Sequence, residues 1–103
     1  EAIVMSWKAG NRTSIHAHPQ FAGYYFADGE FQVEIFEQAG PTALKLANVV
    51  RVNGQEGFAA IGHPGRFDNH IHRITCLSAT AHSLHVYSDD ALRGMTFVRN
   101  DSE

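Results

Sequence analysis

The sequence predicts an all-β fold, a sandwich or barrel of the jelly-roll kind. Short β-prone runs recur about every ten residues, turn signals separate them, and no long stretch requires a helix. The first runs are Ile3 to Trp7, closed by Gly10-Asn11, then Thr13 to His18, and Tyr24 to Phe26, closed by Asp28-Gly29. Phe31 to Phe36 follows. Its Phe31-Gln32-Val33-Glu34-Ile35 alternates apolar and polar, as a strand with one wet face does, and Asp28-Gly29 ahead of it signals a hairpin. After Gly40-Pro41, Leu44, Leu46, Val49 and Val50 fit either a helical or a strand period, and the paired valines favour a strand over Leu44 to Val52. Asn53-Gly54 ends it. Phe58 to Ile61, a turn at Pro64-Gly65, Ile71 to Leu77, Ser83 to Tyr87, a turn at Asp89-Asp90 and Met95 to Val98 complete the series. A jelly roll closes around an interior that can hold a small ligand.

Composition sets the limits. The 103 residues suit one domain, 1–103, and 44% hydrophobic against 18% charged residues gives a chain that buries a core. A net charge of -3 without any Lys/Arg run supplies no field for phosphates, so nucleic acid is excluded as a partner. Apolar stretches such as Phe58 to Ile61 fall far short of the ~20 residues that span a bilayer, so no membrane is expected either. One cysteine, Cys76, rules out an internal disulfide and a cysteine-built metal site, and points to a reducing, cytoplasmic setting.

The seven histidines carry the chemistry. In Ile15-His16-Ala17-His18 strand alternation sends both imidazoles to one face, where they can grip one metal ion. Their frame, Gly10-x5-His16-x-His18, Ala22, then x6-Gly29, reproduces Gly-x5-His-x-His-x3-4-Glu-x6-Gly without its glutamate. Gly57-x5-His63-Pro64-Gly65 and Asn69-His70-Ile71-His72 resemble a loosened second motif with a further ligand histidine. His70 rivals His72 because both lie on one strand face, and Asp68 offers a carboxylate, although its turn setting favours surface capping. For both His63 and His70, loop solvation is the expected role. In Ser83-Leu84-His85-Val86-Tyr87 the alternation lines up Ser83, His85 and Tyr87, close enough for a hydrogen-bond relay, and sends His82 to the other face. A solvated strand face is the alternative, while a serine hydrolase is excluded for want of a nucleophile elbow and an acid partner.

Together these segments resemble the thiol dioxygenase branch of the cupins, the cysteine dioxygenase type I family, whose fold is a double-stranded β-helix or jelly-roll barrel. Trp7 nine residues before His16, the lost glutamate, His72-Arg73 and Ser83-x-His85-x-Tyr87 carry the resemblance. It implies that His16, His18 and His72 bind Fe(2+), that Ser83, His85 and Tyr87 form an outer-sphere triad, and that a small thiol and dioxygen are the substrates. It also implies a homodimer through edge strands. Ala22 or Gly23 stands at the glutamate position, which some members fill with a cysteine linked to the triad tyrosine, so no cross-link is expected. The family's arginine for the substrate carboxylate lies upstream of this chain's first strand. Its part falls to Arg12, Arg51 or Arg73, to residues ahead of position 1, or to no residue if the substrate differs. Two other readings stand beside the dioxygenase. One is a metallocupin using zinc or nickel, and the other a cupin that binds a metal or small ligand without turnover.

Overall fold

A computed structural model describes residues 1–18, 21–40, 43–62, 69–88 and 96–97, with backbone only for Phe58, Asn69 and His70. His63, Asp68 and the side chain of His70 therefore lie outside the described residues, as do the turns at Pro64-Gly65 and Asp89-Asp90.

Among the described residues nine strands form, one at each predicted run. They are β1 (Ala2–Lys8), β2 (Ile15–His18), β3 (Phe21–Asp28), β4 (Glu30–Gln38), β5 (Leu44–Asn53), β6 (Glu56–Ile61), β7 (Asn69–Cys76), β8 (Thr80–Tyr87) and β9 (Thr96–Phe97). The ambiguous segment 42–52 resolves as strand β5 beyond residue 43, as its valines indicated. The strands divide into two antiparallel sheets, ordered β1-β8-β3-β6 and β5-β4-β7-β2-β9.

The chain changes sheet at most of its turns, and one expectation is corrected there. Asp28-Gly29 makes no hairpin: β3 pairs with β6 and β8, whereas β4 pairs with β5 and β7. The dipeptide does supply the backbone it advertises. Gly29 has φ +88°, and a Cβ there would collide with the Cβ of Ala81, so the glycine lets the chain turn a corner between sheets. Asn53-Gly54 makes a second corner packed on the first, since a Cβ on Gly54 would lie 2.8 Å from Asp28 Cα and the Gln55 amide donates to the Phe26 carbonyl at 2.6 Å. A dipeptide signals the local φ; which sheet the next strand joins is decided by its apolar face.

That face is regular. Along β8, Ala81, Ser83, His85 and Tyr87 are buried while His82, Leu84 and Val86 point outward. The inward rows of β3 (Ala22, Tyr24, Phe26), β4 (Phe31, Val33) and β7 (Ile74, Cys76) meet them, with Trp7 from β1 and Val52 from β5, in one core. Phe26 and Phe31 are fully buried with rings 4.6 Å apart, and Trp7 meets Phe31 edge-on at 5.3 Å. Burying a side chain of this size stabilises by roughly 1.5–3 kcal/mol. A smaller cluster of Ile15, Ala17, Phe36 and Ile71 covers the other face of β2, so the histidine-bearing strand is packed on both sides.

Candidate metal centre

Strand β2 lies antiparallel to β7 with His16 opposite His72, and the alternation within β2 brings His18 to the same side. The three rings converge: centroids lie 4.8 Å apart for His16 and His18, 4.6 Å for His16 and His72, and 4.5 Å for His18 and His72. One ring nitrogen from each lies within 4.8 Å of the others, and among the described residues no carboxylate joins the group. His72 is 0% and His18 1% exposed, so two of the three imidazoles are out of water.

The chemistry of this set fits a metal ion. His16 Nδ1 lies 2.8 Å from the Ser14 carbonyl, which can only accept, so Nδ1 carries the proton and Nε2 presents a lone pair. A second-sphere bond of this kind orients a ligand histidine. Burial holds His16 below the usual histidine range, against the smaller opposing pull of Ser14, and so favours the neutral ring that can ligate. His18 Nε2 and His72 Nε2 stand 3.1 Å apart, close to the roughly 3 Å between neighbouring donors around one ion at about 2.0–2.1 Å. Imidazole sets suit Fe, Zn, Ni and Cu alike.

Beside the histidines lies the predicted relay, with one addition. The Trp7 indole N–H donates to Ser83 Oγ at 2.8 Å, and Ser83 Oγ lies 2.7 Å from His85 Nε2. Since indole only donates, the assignment that leaves no buried donor unused runs one way. Ser83 donates to Nε2, and His85 Nδ1–H donates to the Tyr87 oxygen at 3.3 Å. The Tyr87 hydroxyl also shares a hydrogen bond with the Tyr24 hydroxyl, and its ring stacks on His18 at 5.0 Å. Burial, with a smaller contribution from His16, lowers His85 to about 4, so it stays neutral at physiological pH. Burial is also the largest cause that pushes Tyr87 up to about 12.

Trp7 is both core and relay anchor. Tyr24 is an omission. Its hydroxyl contacts His18 Nε2 and lies 3.3 Å from His72 Nε2, and its ring meets His85 edge-on at 5.1 Å. Burial above all, then Tyr87, drives its pKa upward. The available signal was its place two residues after Ala22 on the inward face of β3. The structure also decides between the two glutamate positions: Ala22 points inward opposite Tyr87, and Gly23 packs outside against Phe21. No arginine named as a carboxylate clamp reaches the histidines. Arg73, one residue past His72 and so on the other face of β7, forms a two-pronged bond to Glu34 at 2.8 and 3.0 Å. Arg51 reaches Glu30 at 3.1 Å, and Arg12 is exposed on a bridge to Thr75.

The sequence matches no family profile and no curated protein. Solved structures do share its architecture. The DMSP lyase DddQ from Ruegeria pomeroyi superposes with a TM-score of 0.58 at 20% identity, over 86% of this chain and 38% of that one. The CENP-C cupin domain of Drosophila melanogaster gives 0.60 at 12%, over 84% and 59%. RmlC from Streptococcus suis, solved with dTDP-D-xylose, gives 0.57 at 15%, over 89% and 45%. The fold is a cupin jelly roll. This chain spans about two-fifths to three-fifths of the length of these neighbours.

Proposed function

We propose that this protein is a non-haem Fe(II)-dependent thiol dioxygenase, oxidising a small cysteine-like or 3-mercaptopropionate-like thiol by RSH + O2 → RSO2H. One observation carries the reading: Tyr87 stacks on His18 of the three-histidine group while its oxygen is held by the Trp7–Ser83–His85 relay. His16, His18 and His72 would hold the ion as neutral ligands. A ferrous ion in that place supplies a seat for the thiolate sulfur and the one-electron chemistry that dioxygen requires. Ser83 fixes the His85 tautomer, His85 holds the Tyr87 oxygen, and the Tyr87 O–H donates to the polar head of the substrate. The buried setting excludes bulk water from these bonds.

The test is oxygen consumption by the ferrous-reconstituted protein, offered cysteine, 3-mercaptopropionate and cysteamine in turn. Uptake with one thiol, abolished in His72→Ala, is expected; no uptake with any thiol despite bound iron would overturn the reading. Tyr24 at the histidine group favours a second one, a cupin with another metal or without oxidative turnover, and the fold is shared with a lyase. Metal analysis separates the two, as does Tyr87→Phe, which lowers turnover while retaining metal if the dioxygenase reading holds.

A further inference from the structure

We infer that Tyr24 is a fourth protein ligand of the metal, so that the centre is a three-histidine, one-tyrosine set. The inference rests on the metal reading of the histidine group and extends it by one donor. Tyr24 Oη contacts His18 Nε2 and lies 3.3 Å from His72 Nε2, and those two nitrogens lie 3.1 Å from each other. Three donor atoms thus crowd into one small triangle, and its edges to His72 Nε2 match the roughly 3 Å spacing around one ion bound at about 2.0–2.2 Å. A phenol that served only the relay would bond to Tyr87 alone. Here the hydroxyl, bonded to Tyr87, also reaches the ring nitrogens of two histidines, while the edge of its ring meets His85.

The backbone explains the placement. Ala22 and Tyr24 share the inward face of β3, and Ala22, opposite Tyr87, has no side chain long enough to reach the histidines. Tyr24, one step further along the same face, does reach them. Binding a dication exchanges the phenol proton for a metal–oxygen bond, the proton passing to solvent, so one proton is released per ion bound at this residue. The ring is held for the task by Phe26, stacked at 6.3 Å, and by Tyr87, edge-on at 6.2 Å.

Ferric phenolates absorb visible light by charge transfer from oxygen to iron, a property that three histidines alone do not confer. Wild-type protein loaded with one ferric ion per chain is expected to be coloured, Tyr24→Phe to lose the band and to bind Zn2+ at least tenfold more weakly, and Tyr87→Phe to keep the band. Bound iron without a visible band, or a band that survives Tyr24→Phe, overturns the assignment alone. Failure to bind any ferric or zinc ion overturns it together with the metal reading. Should Tyr24→Phe not fold, zinc titration of the wild type and of Tyr87→Phe decides. A rise in ultraviolet tyrosinate absorbance of one residue per chain in both supports the ligand, and no rise overturns it.

Discussion

The two ends of the barrel interior share strands β3, β7 and β8 and differ in almost everything else. At one end β3, β4, β7 and β8 contribute Phe26, Phe31, Val33, Ile74, Cys76 and Ala81; at the other β2, β3, β7 and β8 contribute His18, Tyr24, His72, His85 and Tyr87. Polarity reverses within single strands, between Ile74 and His72 in β7 and between Phe26 and Tyr24 in β3. The apolar end is held by close packing, which any volume change disturbs. The polar end is held by directed hydrogen bonds among buried groups, each of which costs stability if left without a partner. A functional centre is therefore set on an apolar plug that keeps its strands in register.

Substitutions should separate these two modes of support. Phe31→Ala should have the largest effect on stability, about 3–5 kcal/mol by chemical denaturation, because it opens a cavity beneath Trp7 and Phe26. A loss below 1 kcal/mol would mean the two ends do not differ as described. Ser83→Ala should cost about 1–3 kcal/mol, since it strands the Trp7 N–H and the His85 ring. Its mark is a larger fractional loss of turnover than Phe31→Ala produces in the protein that remains folded.

Acid should weaken the polar end selectively. His85 titrates at about 4 in the fold against an ordinary value near 6.5, so between those limits the unfolded chain binds more protons than the native one. Stability rises with pH across that window, and the metal-free protein should lose it progressively on acidification from 6.5 to 4. His85→Gln should flatten the melting temperature over the same range, and an unchanged slope would refute the assignment. Arg51→Ala should do least, below about 1 kcal/mol, because its pair with Glu30 is exposed on the outer surface.

Much of this contrast was legible in the sequence, and its gaps have physical causes. Recurring β-prone runs and the turn signals between them located the nine described strands, and strand alternation placed Ser83, His85 and Tyr87 on one face. Pairing between distant strands is not written locally. Asp28-Gly29 gave its φ correctly and its topology wrongly for that reason, and the meeting of His16 with His72 depends on a register that only the whole fold sets. Tyr24 escaped notice because the motif drew attention to position 22. Arg73 looked available because its partner Glu34 is thirty-nine residues away in the chain.

Among the described residues only β4 and β5 are consecutive strands that pair with each other; every other partnership there, such as Ala2 with Val86, joins distant stretches of chain. Search time is the consequence. A topology dominated by remote pairings folds on the order of milliseconds to seconds, slower than helical proteins of similar length. Nucleation can begin cheaply only at the β4–β5 ribbon, which carries none of the histidines. The histidine group therefore comes together after most loops have closed, and a bound ion would act chiefly as a brake on unfolding.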